Sequence, residues 1–139
     1  MGPYSMSKFA LGAMTMALRL ELDMWDIKVS IVEPGAIATP IWQKTTAVAD
    51  AIERRIPREV LSLYSKHIAC IRRAAAEAER FAISADVVVR AVEHALTARR
   101  PKNRYLVGSE AKFRAFLAAL LPQRMQDAIH RWLFKLPRR

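Results

Sequence analysis

The chain has 139 residues, 53% hydrophobic and 26% charged, which is the make-up of about one ordinary globular domain and excludes a disordered tail. No apolar run reaches the roughly 20 residues that a spanning helix needs, and the chain does not open like a signal peptide, so the expected location is the cytoplasm. The net charge of +10 is unevenly placed: residues 1–97 hold 12 Lys/Arg against 11 Asp/Glu, while residues 98–139 hold 11 against 2.

From Tyr4 to about Leu22 the apolar residues Phe9, Leu11, Met14, Met16, Leu18, Leu20 and Leu22 are dense and no proline interrupts them. This predicts a largely buried helix. Asp23 to Asp26 is a polar break. Ile27 to Glu33 is short and β-branched and ends at Pro34-Gly35, which predicts a strand and a turn. Residues 45 to 82 have helical spacing, with Val60, Leu61, Tyr64, Ile68 and Ile71 three or four apart and a break near Pro57.

Ser84 is a candidate N-cap for a helix from Ala85 to about Arg99, with Asp86 in its first turn and Pro101 beyond its end. Arg104 to Gly108 predicts a second strand. Two amphipathic helices follow, over about 110–121 and 123–136, separated by Pro122. Cys70 is the single cysteine, which excludes an internal disulfide and a thiolate zinc cluster; with His67 three residues before it, packing is expected and a metal is not.

Helices alternating with strands give an α/β pattern. Two strands are few for such a fold, because a parallel sheet is buried on both faces and the Ile27 to Glu33 strand needs neighbours.

Tyr4 and Lys8, in Tyr-Ser-Met-Ser-Lys, are four residues apart and fall on one helix face. An ammonium about 5 Å from a phenolate, at an effective dielectric of about 20, favours the ion by roughly 3 kcal/mol. Such a pair can give a proton to a carbonyl oxygen or take one from an alcohol.

Gly-Pro-Tyr-Ser-Met-Ser-Lys-Phe-Ala, followed by a helix, a strand and Val-Glu-Pro-Gly-Ala-Ile-Ala-Thr, resembles the short-chain dehydrogenase/reductase family. The resemblance extends along nearly the whole chain, with its specific motifs in residues 1–40. It implies the C-terminal part of a doubly wound, Rossmann-type parallel sheet that lacks the N-terminal strands. Residues 1–108 would be the C-terminal half of an NAD(P)-binding domain, including substrate-lid helices at about 45–82, and residues 109–139 a basic helical extension.

By the same resemblance Tyr4 is the catalytic acid/base and also a cofactor-binding residue, and Lys8 supports its ionisation and holds the nicotinamide ribose. Pro34, Gly35 and the backbone at Ile37 face the nicotinamide and its carboxamide, and the Thr39 hydroxyl bonds the cofactor, NAD or NADP. Pro40, Ile41 and Trp42 open the lid and point to a lipophilic alcohol or ketone, as in the branch acting on retinoids and steroids. A homo-oligomer is implied for the full-length form.

The family's glycine-rich pyrophosphate turn, its Asn-Ala-Gly segment, the asparagine of its proton relay and its catalytic serine all precede the tyrosine, and none occurs here. Met1 is therefore expected to be an internal methionine or a misplaced start, and the chain alone to be inactive. The competing expectation is a truncated module without catalysis that binds a partner subunit or a membrane.

In the tail, Phe113, Phe116, Leu117, Leu120 and Leu121 share one helix face, as do Met125, Ile129, Trp132, Leu133 and Leu136. Lys112, Arg114, Arg124, Arg131 and Lys135 supply the charge. This pattern suits an in-plane membrane helix over 110–136, and equally packing on the enzyme body or a second subunit. Nucleic-acid binding has the charge but no motif and is not expected.

Overall fold

The computed structural model describes residues 2–133 as a helix-rich α/β chain with two parallel strands. In chain order these are α1 (Gly2–Glu21), a 3-10 turn (Asp23–Trp25), β1 (Ile31–Pro34), α2 (Ile41–Glu53), α3 (Arg58–Arg80), α4 (Ala85–Thr97), β2 (Arg104–Val107), α5 (Ser109–Leu120) and α6 (Gln123–Leu133). Contacts divide the chain into two units, Met1–Gly35 with Asp86–Ala111, and Ala36–Ala85 with Lys112–Arg139.

In the first unit β1 and β2 pair in parallel, Ile31 opposite Arg104 and Pro34 opposite Val107. The ladder is shorter than the expected strand from Ile27 to Glu33. Two local features end it: Asp26 is in the left-handed region at φ 56°, and Lys28 is drawn to the Asp26 carboxylate at 2.6 Å. On the partner side Pro101 offers no N–H, so β2 cannot be extended far backward. Instead the Ser30 hydroxyl donates to the Lys102 carbonyl at 2.8 Å, and the Ile31 N–H donates to that of Asn103 at 3.1 Å.

Tyr105 and Val107 are the buried hydrophobic residues among those described. The Tyr105 hydroxyl accepts the Lys102 N–H at 2.9 Å and meets Nδ1 of His94 at 2.8 Å, tying β2 to α4. Arg104 forms an ion pair with Glu33 across the two strands.

The expectation that the first helix is largely buried is corrected. Phe9 is 82% exposed, Leu20 and Met16 are also exposed, and Thr15 is the buried residue of α1. The cause lies in the pattern itself. At 100° per residue Phe9, Met16 and Leu20 form one apolar face, while Leu11, Met14, Leu18 and Leu22 form a nearly opposite one. Only the side bearing Thr15, Leu18 and Leu22 is covered or half-covered.

In the second unit α2 begins at Ile41, four residues before the expected helical region, and the break falls between Glu53 and Arg58 beside Pro57. Arg72 on α3 bonds Asp50 at 2.5 Å and Glu53 at 2.8 Å on α2, joining the two helices. Ile83 forms a parallel bridge with Ile37: its N–H donates to the Ala36 carbonyl at 3.0 Å, and its carbonyl accepts the Ala38 N–H at 2.9 Å. Gln126 of α6 donates to the Ala118 and Leu121 carbonyls at 3.1 and 2.7 Å, supplying partners at the end of α5. Leu136 and Lys135 lie outside the described residues.

Candidate active site

Tyr4 and Lys8 share one face of α1 as the spacing requires, and the Lys8 ammonium lies over the Tyr4 ring, 5.3 Å from its centroid. This is cation–π geometry. Ser7 donates its hydroxyl to the Tyr4 carbonyl at 2.7 Å, an interaction local to the helix that leaves the phenol unoccupied. Tyr4 is 66% exposed, so water surrounds the pair. The roughly 3 kcal/mol expected at a dielectric of about 20 falls about fourfold as the medium approaches water.

Pro34 is the last residue of β1, at the carboxyl end of the strand, where ligands bind in open α/β sheets. Gly35 continues the ladder, donating its N–H to the Val107 carbonyl at 2.9 Å. A Cβ at Gly35 would meet Ala111 Cβ and the Val107 carbonyl at 3.7 Å, ordinary contact distances, and its backbone is outside the left-handed region. Glycine is thus not demanded here by the chain's own packing.

In the second unit the Ile37 carbonyl accepts the Trp42 indole N–H at 2.8 Å. Its N–H is left over by the bridge to Ile83, whose bonds are made through Ala36 and Ala38. Thr39 is exposed in the bend before α2, and its hydroxyl has no protein partner among the described residues. The structure thus brings Tyr4 and Lys8 together, and sets Pro34 and Gly35 at the strand end. No hydrogen bond joins the pair to Pro34 or Gly35 among the described residues.

Sequence reasoning read Trp42 only as an apolar lid residue and missed its bond to Ile37. An indole carries one donor that seeks a partner when half-buried, and that was the available signal. No group of His, Cys, Asp and Glu suited to a metal occurs among the described residues.

Each unit by itself offers groups of the kind that bond a ribose or a carboxamide: in the first the exposed Lys8 ammonium, in the second a free hydroxyl at Thr39 and an unclaimed amide N–H at Ile37.

Residues 1–50 match the short chain dehydrogenase family. Over 141 residues the chain is 32% identical to retinol dehydrogenase 5 of Mus musculus, covering 98% of this chain and 44% of that protein. It is 32% identical to the NADPH-dependent 3-dehydrocapnine reductase of Ornithobacterium rhinotracheale, with 93% and 43% covered. Identity to the 17-beta-hydroxysteroid dehydrogenase type 6 of Bos taurus is 31%, with 91% and 41% covered. The chain spans less than half the length of these curated relatives. No solved structure matches it significantly. With the Tyr4 and Lys8 motif inside the matched segment and relatives aligned along almost all of its residues, the chain belongs to the short-chain dehydrogenase/reductase family.

Proposed function

We propose that these residues form the proton-transfer and nicotinamide-facing part of an NAD(P)-dependent oxidoreductase acting on a lipophilic alcohol or ketone. The observation that carries this reading is the Tyr4 and Lys8 pair on one face of α1. Bound NADH or NADPH would supply the hydride for reduction, and the oxidised form would take it in the reverse direction. Tyr4 gives its phenolic proton to the carbonyl oxygen during reduction and takes the hydroxyl proton during oxidation. Lys8 stabilises the phenolate left behind and holds a ribose hydroxyl. The Ile37 amide orients the carboxamide, Thr39 donates to the cofactor, and Pro34 and Gly35 present a flat surface to the ring.

Relatives named as retinol and 17-beta-hydroxysteroid dehydrogenases support a lipophilic substrate. β1 and β2 are then two strands of a doubly wound parallel sheet, and α2 and α3 its lid. The 139 residues contain four glycines and no Gly-x-Gly-x-x-Gly turn, so the family's glycine-rich hold on the cofactor's pyrophosphate is not among them.

The test compares this chain with the product of the reading frame extended upstream. The 139-residue chain alone should neither bind NAD(P)H nor oxidise retinol. The extended protein should do both, with Tyr4→Phe lowering kcat by about 10² to 10⁴. Unchanged kcat in that variant would remove Tyr4 from the chemistry.

A second reading concerns α5 and α6. Phe113, Phe116, Leu120, Met125, Trp132 and Leu133 are all more than half exposed, which supports a proposed peripheral membrane contact through these helices. No described helix is long and apolar enough to cross a membrane.

A further inference from the structure

At the opposite end of the strands from Pro34 and Gly35, the first unit contains an open cleft of about 380 Å³. Its charged and amide side chains are Arg19 on α1, Asp23, Lys28, Arg99, Arg100 and Asn103. Ser30 and Asn103, immediately before β1 and β2, mark it as lying at the amino end of the sheet. Three separate stretches of chain deliver these groups to one place.

The cations differ in what they are free to do. Lys28 is drawn to Asp26 at 2.6 Å and to Asp23 at 3.9 Å. Arg19, Arg99 and Arg100 have no carboxylate partner among the described residues, and the Asn103 amide makes no bond there either. A cation after a helix is ordinary, since the C-terminus of α4 carries about half a negative charge. Arg19, in the last turn of α1, answers the same half-charge at the end of that helix, and one guanidinium answers it at the end of α4. Three full positive charges against two half-charges leave a surplus that the fold does not use.

We propose that this cleft binds a phosphoryl group, borne by a soluble organophosphate or by the headgroup of an anionic lipid. Guanidinium forks match phosphoryl oxygens bidentately, and the Asn103 amide adds a neutral donor. The volume is at the small end of ligand sites and suits one or two phosphoryl groups with little beyond them. The site is separate from the nicotinamide-facing strand ends and does not depend on their chemistry. Because its walls are exposed, binding weakens with salt.

The test titrates inorganic pyrophosphate into the 139-residue chain by calorimetry at low salt. In parallel, flotation compares phosphatidylcholine vesicles with and without phosphatidic acid. Arg19→Gln and Arg100→Gln are compared with Lys102→Gln, which removes the same charge from a neighbour outside the cleft; circular dichroism and melting confirm each fold. Pyrophosphate binding weakened at least fivefold by each arginine variant but not by Lys102→Gln supports the site with a soluble ligand. Flotation that needs phosphatidic acid and both arginines, without pyrophosphate binding, supports it with a lipid. Equal weakening by Lys102→Gln, insensitivity to both arginines, or no binding in either arm overturns it.

Discussion

His94 on α4 and Tyr105 on β2 meet at 2.8 Å, ring nitrogen to phenol, with the rings edge to face at 5.7 Å between centroids. The Tyr105 oxygen also accepts the Lys102 N–H, so one phenol joins α4 to the turn before β2. Tyr105→Phe keeps the ring and deletes both bonds. It should lower stability by about 1–2 kcal/mol, seen as an earlier urea midpoint at unchanged slope. An unmoved midpoint would mean that water replaces both partners.

Arg72 is the link between α2 and α3. Its guanidinium is raised above its usual range by hydrogen bonds to Glu53 and then Asp50, so it stays charged. The three side chains are each about a third or more exposed, so the pair contributes modestly to global stability. Its local effect should be larger. Arg72→Gln should speed tryptic cleavage at Arg54 and Arg55 several-fold, and Arg72→Lys should recover only part of the protection, lacking the fork. Equal cleavage rates in all three proteins would show that the helices are held otherwise.

The two glycines at the ends of the strands should respond oppositely. Gly108 has φ 99°, where a Cβ is strained, so Gly108→Ala should cost about 1–2 kcal/mol. Gly35 has room for a methyl at ordinary contact distance, so Gly35→Ala should leave thermal stability within about 0.5 kcal/mol. Loss of turnover in a stable Gly35→Ala protein would then report a ligand contact at that turn.

The Asp26 and Lys28 pair sets a pH window. Hydrogen bonding to Lys28 lowers the Asp26 carboxyl from its ordinary 3.8, and bonding to Asp26 raises Lys28 from 10.5. The carboxylate's contribution is present above 3.8 and lost as pH falls through its lowered value. The ammonium's is full below 10.5 and lost as pH rises through its raised value. Both groups are exposed, so the gap in urea midpoint between wild type and Asp26→Asn should be small, flat across neutral pH and closed in strong acid. A gap that widens in acid would contradict the pairing.

For the tail, Trp132 is 79% exposed on α6. Trp132→Glu should reduce flotation with anionic vesicles several-fold while leaving helicity unchanged by circular dichroism. If flotation is absent in the unaltered chain, the membrane contact is removed and these faces belong to a protein partner.

Helix limits were legible where punctuation is covalent. Pro57, Pro101 and Pro122 all stand beside the expected breaks. The Tyr4 and Lys8 pair was legible for the same kind of reason, since helical spacing alone aligns it. Burial of α1 was not, because a dense apolar segment does not say which of its two faces a neighbour covers. The length of β1 depended on Pro101, some seventy residues away, and the Arg72 fork on how α2 and α3 are juxtaposed. The Trp42 bond to Ile37 depended on the bend through Thr39. Each of these is set by tertiary placement, to which local pattern carries no index.

The parallel ladder also dictates an order of events. Glu33 and Arg104 are 71 residues apart in sequence, so pairing β1 with β2 closes a loop whose entropy costs about 4 kcal/mol before any contact offsets it. α1 needs only local bonds and forms early, which places Tyr4 and Lys8 on their shared face at the outset. Gly35, held by the Val107 carbonyl, acquires its position only when the distant strands meet. The proton-transfer pair therefore exists before the strand end does, and a chain arrested before that closure displays the motif with nothing for it to act upon.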